Sequence, residues 1–320
     1  MPKLFESLDS SGLLPVLREV ILVDDASTDQ TPAMLKAFAE KNKTMVRVVT
    51  LKKNSGRFYA RWEGAKAAAS EKILFLDTRL ELVPGFTQAL MELTPKHDAL
   101  MGVVHVDTST SVFSLYWDRT HKVIFRRHYK ACETGFFLTV ENYDKFLKGT
   151  TVFLCLRKAF TAACEKFSYG ELLSDDTALL KVIVKQNPIW VDPRLGIRWT
   201  PRENAQEFLT RLWERGPSFV EYHVFARRSG PLFLVVLAGL IGLLFLGIST
   251  AFFPLEAIIF CGIFVLMVLA STAAFSKSPT EFFRMMPLHV AVISVFGMGI
   301  LKGVVWNAIR LILGRLPKIP

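Results

Sequence analysis

"REVILVDDAST", Arg18 to Thr28, is the stretch that decides the fold. Its run of branched aliphatic residues predicts a buried strand, and Asp24 and Asp25 stand where that strand reaches solvent. The next segment, "TPAMLKAFAEKN", predicts a helix with Pro32 in its first turn. "VRVVTL" then predicts a second strand. This strand, helix, strand order indicates a parallel sheet covered by helices.

The alternation continues through "GRFYARWEGAKAAAS", a predicted helix, and "EKILFLDTRL", a third strand that again ends in an acid, Asp77. Parallel sheets bind ligands at the carboxyl ends of their strands. We therefore expect Asp24, Asp25 and Asp77 to lie at one edge of the sheet. The later predicted elements are a helix over "GFTQALMEL", strands near residues 101–106 and 123–125, the strand "TVFLCL" and a helix over residues 158–166.

A second acidic pair, Asp175 and Asp176, stands in "ELLSDDTALLKVIV", directly before an apolar helical run. Ser174 is a suitable N-cap, and carboxylates in a first helical turn are favoured by the helix dipole. The same pair can also supply a general base to a reaction. Asp24 and Asp25 can likewise be a turn and a cap. The residue pattern alone leaves both interpretations open for both pairs.

The apolar residues are concentrated after Gly230, in a chain of 320 residues of which 51% are hydrophobic. Leu232–Phe253 carries no charge, and Leu255–Phe275 carries only Glu256. Each is long enough to cross a bilayer core of about 30 Å. A third segment, about 287–313, is predicted to be spanning, re-entrant or interfacial. The sequence therefore predicts a domain over residues 1–226 and a membrane domain over residues 227–320.

Basic residues indicate the orientation of the predicted spans, since loops rich in Lys and Arg stay in the cytoplasm. Those next to the spans are Arg227, Arg228, Lys277 and Arg284, and the turn at Pro254 has none. We therefore expect the N-terminal domain and the loop around Ser278 in the cytoplasm. Arg315 and Lys318 prefer the same side, which favours a re-entrant or interfacial third segment.

Several functional classes are disfavoured by composition. The opening "MPKLFESLDSSG" has no apolar segment of a signal peptide, and the four cysteines are scattered without pairing or zinc spacing. The net charge of +10 suggests a nucleic acid or an anionic bilayer as partner. No predicted helix of the first domain carries a basic stripe with interleaved aromatic residues, so we expect a lipid bilayer and no nucleic acid.

Six segments together resemble the inverting, family-2-type glycosyltransferases with a GT-A fold. They are "VDDASTDQT", "NSGRFYARWEGAKAA", "ILFLDTRLELVPGF", "KGTTVFLCLRKAF", "SDDTALL" and, more loosely, "FLTRLWERG". The resemblance covers roughly Lys3 to Phe225. It implies an α/β, Rossmann-like nucleotide-diphospho-sugar transferase domain, followed here by C-terminal transmembrane helices.

The resemblance also implies roles for individual residues. Those that would bind the nucleotide sugar are Asp24, Asp25, Ser27, Arg61, Asp77 and Arg79. Asp176 would be the general base, with Asp175 beside it to couple to its ionisation or to orient the acceptor. Residues implied on the acceptor or donor side are Lys148, Thr150, Arg202, Arg211 and Trp213.

Two features depart from the family pattern. The Asp-x-Asp of the family reads Asp77-Thr78-Arg79, so Asp77 is the metal residue implied for Mg²⁺ or Mn²⁺, with few oxygen ligands. Arg79 can instead bind phosphate directly or pair with Glu81. In addition, "MPKLFESL" looks like the helix that follows the family's first strand. We therefore expect a sheet without that strand, with neighbouring strand edges unpaired.

These features predict an integral membrane glycosyltransferase of glycan biosynthesis. Its donor would be a UDP- or GDP-linked sugar, and its acceptor a hydroxyl of a lipid-linked or membrane-proximal glycan. Two alternatives remain open, a polyprenyl-phosphate glycosyltransferase and a degenerate, non-catalytic membrane scaffold of the same fold.

Overall fold

The structure of the chain is a computed structural model that describes residues 2–43, 45–167, 175–226 and 230–314. The predicted cap Ser174 and the basic residues Arg227, Arg228, Arg315 and Lys318 lie outside the described residues. The chain divides into two compact units. Unit 1 comprises Met1–Val106 and Phe125–Thr200, and unit 2 comprises Asp107–Ile124 and Pro201–Ile319.

Strands and helices follow one another along most of the described chain. The strands are β1 (Val20–Asp24), β2 (Val46–Thr50), β3 (Lys72–Leu76), β4 (Leu80–Leu82), β5 (Ala99–Val106), β6 (Phe136–Leu138), β7 (Val152–Leu156) and β8 (Ile189–Trp199). The helices are α1 (Pro2–Ser10), α2 (Thr31–Lys41), α3 (Arg57–Ala67), α4 (Phe86–Leu93), α5 (Val112–Ile124), α6 (Arg126–Cys132), α7 (Arg157–Cys164), α8 (Asp175–Val184), α9 (Ala205–Val220), α10 (Pro231–Phe252), α11 (Pro254–Phe275) and α12 (Pro279–Ile312).

Unit 1 contains two sheets instead of one parallel sheet. β1 and β2 form a parallel pair, as expected. The larger sheet has the order β3-β7-β5-β8-β4 with β6 on β8, and within it only β5 and β8 are parallel. The prediction of a parallel sheet is therefore wrong for β3, which pairs antiparallel with β7. β4 and β6 also pair antiparallel, each with β8. Hydrophobic periodicity reports which segments are strands, but it does not report the direction in which a strand enters a sheet.

One edge of β1 and one edge of β3 face no partner strand among the described residues, because β1 pairs only with β2 and β3 only with β7. The two strands nevertheless share a hydrophobic core. Leu22 of β1 packs in the same cluster as Leu74 of β3 and as Leu4 and Leu8 of α1. The expectation that a strand is missing from this sheet remains a prediction.

The prediction of a strand near Val123–Phe125 is wrong, because Val123 and Ile124 are the last two residues of helix α5. The β-branched pair misled the prediction, since such residues are enriched in strands. α5 is instead amphipathic, and its buried side chains Leu115 and Tyr116 pack within unit 2.

The core of unit 2 is formed by α5, α9 and α12. Phe208 and Leu212 of α9 pack there with Met285 and Leu288 of α12. α9 also approaches α12 closely through glycines: a Cβ atom placed on Gly216 would lie 2.2 Å from the carbonyl carbon of Gly299. This contact requires glycine, since no side chain fits between the two backbones.

Three helices of unit 2 are long and apolar enough to cross a membrane, by length and composition. Their spans are Leu232–Phe252, Pro254–Phe275 and Pro279–Ile312. The first two agree with the predicted spans to within one residue at each end. The third segment forms one continuous helix of 34 residues, longer than the segment predicted over about 287–313. A re-entrant segment must turn back within its length, so a continuous helix does not fit the re-entrant alternative. The spanning and interfacial alternatives stay predictions.

Candidate active site

Asp24 closes the turn at the end of β1. Its side chain is buried, and its Oδ1 accepts a hydrogen bond from the backbone N–H of Ser27 at 3.0 Å. Ala26, between them, adopts a φ of 56°, the positive-φ conformation that this turn requires. The first acid of the pair therefore has the turn-forming role that the residue pattern left open, and Ser27 takes part through its backbone.

Asp25 joins the end of β1 to the start of α3. Its Oδ1 accepts from the N–H of Ser55 and its Oδ2 from the N–H of Gly56, each at 2.7 Å. Gly56, with a φ of 85°, directly precedes α3. A carboxylate has about four lone-pair sites, so Asp25 retains the capacity to accept hydrogen bonds from ribose hydroxyls.

Asp176, in the first turn of α8, is contacted by residues distant in sequence. Its Oδ1 accepts from Arg61 Nη1 of α3 at 2.9 Å and from Thr150 Oγ1 at 2.8 Å. Arg57 Nη2, one turn before Arg61 on α3, lies 4.0 Å from Oδ2. The side chain of Asp176 remains 21% exposed, so solvent reaches it. Asp175 begins α8, and its side chain lies outside the described part of the structure.

Asp77 lies beside the residues that contact Asp176. It follows β3, and its backbone N–H donates to the carbonyl of Thr151, the neighbour of Thr150, at 3.1 Å. Its Oδ1 accepts from the N–H of Thr78 at 2.8 Å. The structure thus links Asp77 to Asp176 through Thr150 and Thr151.

Asp25 is linked to Asp176 by a second route. Asp25 binds the backbone that precedes α3, and the first residue of that helix, Arg57, faces Asp176. The acidic residues of three separate sequence stretches are therefore connected within unit 1 by short chains of contacts.

Arg79 does not form the predicted ion pair with Glu81. The carboxylate of Glu81 instead lies 3.1 Å from Lys3 Nζ and 3.6 Å from Arg198 Nη1. The Arg79 side chain is exposed, and its backbone carbonyl accepts from the N–H of Thr200 at 3.1 Å. Binding of phosphate by Arg79 stays a prediction.

Lys148 contributes to the support of α8. Its Nζ donates to the carbonyl of Tyr143 and lies 4.1 Å from the centre of the Tyr143 ring. The buried Tyr143 hydroxyl donates to the carbonyl of Thr177 in the first turn of α8.

Burial, with a contribution from nearby Lys148, lowers the pKa of His128 to about 4, so this imidazole is neutral at pH 7.

The other three predicted residues lie in unit 2. Arg202 pairs with Glu207 at 2.6 Å and Arg211 with Glu214 at 2.9 Å. The Trp213 ring lies 5.0 Å from Lys302 Nζ. A role of Arg202, Arg211 and Trp213 on the acceptor or donor side stays a prediction.

Two residues that contact Asp176 or the first turn of α8, Arg57 and Tyr143, were not predicted. Arg57 stands four residues before Arg61, a spacing that places both on one helix face, so the sequence contained a usable signal. Tyr143 had no such signal, because its contact to α8 depends on tertiary structure.

The cysteines agree with prediction in being free, and Cys132, Cys155 and Cys164 are buried.

The acidic residues offer limited metal coordination. Among residues 2–43, 45–167, 175–226 and 230–314, no three His, Cys, Asp or Glu side chains lie together in a way that would hold a metal ion. Asp77 supplies one partly exposed carboxylate with unused lone pairs. Mg²⁺ is commonly bound by one or two carboxylates together with substrate phosphates, so Asp77 fits an ion that is completed by a diphosphate.

The fold of unit 1 is α/β with a mixed sheet, of GT-A type, and long apolar helices follow it along the chain. Residues 3–160 match the family model for Glycosyl transferase family 2. This part of the chain is therefore similar to family 2 glycosyltransferases, as its sequence motifs indicated.

Curated relatives match about a third of this chain. Polypeptide N-acetylgalactosaminyltransferase 6 of Bos taurus is 34% identical over 105 residues, which are 31% of this chain and 16% of the relative. An undecaprenyl-phosphate 4-deoxy-4-formamido-L-arabinose transferase of Pectobacterium carotovorum is 28% identical over 109 residues, 34% of this chain and 33% of the relative. The chain thus spans a third or less of the length of these relatives.

A solved structure resembles the chain over almost its whole length. It is a mannosyltransferase from Pyrobaculum calidifontis in complex with GDP-Man and Mn²⁺. The TM-score is 0.57 at 17% sequence identity, and the alignment covers 94% of this chain and 83% of that one. At this identity the likeness concerns the fold.

Proposed function

We propose that this chain is a membrane-anchored, inverting glycosyltransferase that moves a sugar from a nucleotide-diphosphate sugar to a hydroxyl of a lipid-linked or membrane-proximal glycan. The observation that carries the proposal is the contact of Asp176 with Arg61 and Thr150, beside the strand end that bears Asp77. Ion pairs with a purely structural role are also common in proteins. Here, however, the carboxylate stays partly exposed at the carboxyl end of strands, where α/β folds bind ligands.

The donor is a UDP- or GDP-linked sugar in this proposal. Asp25 accepts hydrogen bonds from the nucleoside with its remaining lone pairs, and Arg79 donates to phosphate oxygens. Asp77 would hold Mg²⁺ or Mn²⁺ together with the diphosphate, and the bound ion would supply positive charge for the leaving group. The mannosyltransferase with the same fold was solved with GDP-Man and Mn²⁺, which supports this choice of donor and ion.

The reaction is a single displacement. Asp176 takes the proton of the acceptor hydroxyl while the acceptor oxygen bonds to the anomeric carbon. The bond from that carbon to the phosphate oxygen breaks, and the nucleoside diphosphate leaves with the bonding electrons. Attack from the face opposite the leaving group inverts the anomeric configuration.

The apolar helices explain the choice of acceptor. An amphiphilic acceptor is confined to the membrane, and a chain anchored in that membrane meets it at a raised effective concentration. In this proposal the domain that carries Asp176 faces the cytoplasm, which the basic residues beside the spans support.

The test is turnover of UDP-GlcNAc and GDP-Man by the full chain in detergent, followed as release of UDP or GDP. Asp176→Asn keeps the shape of the side chain but removes the base, so we expect turnover to fall about 10²- to 10⁴-fold. Asp98→Asn is the matched control, because Asp98 is 52% exposed and pairs with Lys72. Equal turnover by both variants and the wild type would refute the proposed role of Asp176.

A second candidate is a polyprenyl-phosphate glycosyltransferase. It is favoured by the Pectobacterium carotovorum relative, whose name specifies undecaprenyl phosphate, and by the two arginines beside Asp176. A phosphate acceptor is already ionised near neutral pH and needs no strong base. With undecaprenyl phosphate as acceptor, Asp176→Asn would then keep most of the wild-type activity. With a hydroxyl acceptor, the same variant should show the large fall in turnover given above.

A further inference from the structure

We propose that Arg61 and Thr150 are positioning residues that fix the carboxylate of Asp176 so that one of its oxygens, Oδ2, receives the proton of the acceptor. This inference rests on the proposed function. It changes the expected role of Arg61 from nucleotide-sugar binding to support of the general base.

The geometry at Oδ1 is the basis for this assignment. Arg61 Nη1 and Thr150 Oγ1 both donate to Oδ1, at 2.9 and 2.8 Å. A carboxylate oxygen has about two lone-pair sites, so two donors occupy the acceptor capacity of Oδ1. A proton transferred to this side chain therefore goes to Oδ2. The two donors come from different elements, and together they fix the rotation of the carboxylate.

The donors themselves are held in place. Thr150 is fully buried two residues before β7, and the Arg61 side chain is 16% exposed on α3. A buried donor that loses its acceptor is costly, so these side chains have little freedom to leave Asp176. Arg57 Nη2 is 4.0 Å from Oδ2 and is 48% exposed, a looser contact that a substrate can replace.

The backbone of the first turn of α8 is fixed as well. The hydroxyl of Tyr143 donates to the carbonyl of Thr177, and Tyr143 is fully buried. Side-chain and backbone contacts thus set the position of Asp176 before any substrate binds. Preorganisation of this kind is what a general base needs, because its efficiency depends on its reach to the transferred proton.

The experiment compares Thr150→Val, Thr150→Ser and Arg61→Lys with Asp176→Asn in the full chain. Thr161→Val is the matched control, since Thr161 bonds only to the carbonyls of its own helix, α7, among the contacts described. The probes are UDP-GlcNAc and GDP-Man, with nucleotide release measured as a function of pH and nucleotide affinity measured by titration calorimetry.

We expect Thr150→Val to lower kcat by about 10- to 100-fold while the Kd of the nucleotide changes less than about twofold. Thr150→Ser should restore most of kcat, because it restores the hydroxyl donor. The acid limb of the pH–kcat profile should move to higher pH in Thr150→Val and Arg61→Lys, since the carboxylate loses hydrogen bonds that favour its ionised form. A merely structural role would lower kcat equally at every pH.

The failure of this inference is distinguishable from the failure of the proposed function. If Asp176→Asn is inactive but Thr150→Val and Arg61→Lys keep the wild-type kcat and pH profile, positioning is refuted and the base remains. If Arg61→Lys weakens nucleotide binding and leaves kcat unchanged, Arg61 binds the donor instead. Wild-type turnover by Asp176→Asn overturns both.

Discussion

Asp25 holds a backbone N–H group with each of its two carboxylate oxygens, and so it has a structural role whether or not a nucleotide is bound. The loop before α3 brings Arg57 and Arg61 to Asp176, so the position of this loop affects the whole cluster. At the residue scale, structural and functional roles therefore coincide in one side chain.

Replacing Asp25 by Asn should destabilise unit 1 by about 1–3 kcal/mol. The Asn amide offers one acceptor oxygen, and its NH₂ group would face the N–H of Ser55 or Gly56. Chemical unfolding of the full chain in detergent would measure this loss. Asp9→Asn is the control, because the pair of Asp9 with Lys41 is exposed and contributes about 0–1 kcal/mol. Equal stability of the two variants would contradict the structural role.

The sequence identified Asp176, Arg61 and Thr150 through motif resemblance, but not their contact with one another. Arg61 and Asp176 are separated by 115 positions, and periodicity carries no information about pairs so far apart. For the same reason, the sequence left the roles of Asp24 and Asp25 open. A turn and a ligand site require the same side chains, and the N–H groups that Asp25 binds belong to a segment about 30 residues away.

At the scale of elements, local patterns predicted β1, α2, β2, α3 and β3 close to their observed bounds. These elements have regular periodicity and strong turn signals between them. The errors lie where long-range pairing decides the structure. β7 enters the larger sheet antiparallel between β3 and β5, and α5 continues through a β-branched pair because its apolar face is buried in unit 2.

Close packing of α9 against α12 depends on glycine at position 216, a feature that hydropathy did not reveal. Gly216→Ala should lower the thermal midpoint of the full chain in detergent by about 3–10 °C, because the added Cβ meets the Gly299 backbone at 2.2 Å. Gly247→Ala on α10 is the matched control, with no heavy atom within 4 Å of an added Cβ. A midpoint unchanged in Gly216→Ala would show that the two helices do not approach as described.

At the scale of the whole molecule, composition alone separated the N-terminal domain from an apolar C-terminal region with two spans and a third, ambiguous segment. The first two spans were predictable because an uncharged apolar run of about 20 residues is typical of a helix that crosses a bilayer. The third was ambiguous, since Lys302 and Arg310 interrupt it. In the structure Lys302 lies over Trp213 and Arg310 pairs with the buried Glu221, so protein contacts accommodate both charges.

The departures from the family pattern also belong to this scale. Arg79 stands where a second carboxylate was expected, and β1 and β3 each keep an unpaired edge among the described residues. Both features motivate the rival interpretation of a non-catalytic scaffold. Nucleotide binding separates this rival from an enzyme, and it requires no knowledge of the acceptor.

The central claim is that acidic residues from distant stretches form a site for a nucleotide sugar and its ion. Titration calorimetry of the full chain with UDP and GDP, with and without Mn²⁺, tests it most directly. We predict one nucleotide site per chain with a Kd below about 1 mM, tightened by Mn²⁺ in the wild type and in the Asp98→Asn control but not in Asp77→Asn. Absence of saturable heat with either nucleotide at millimolar concentration, with Mn²⁺ present, would contradict the account.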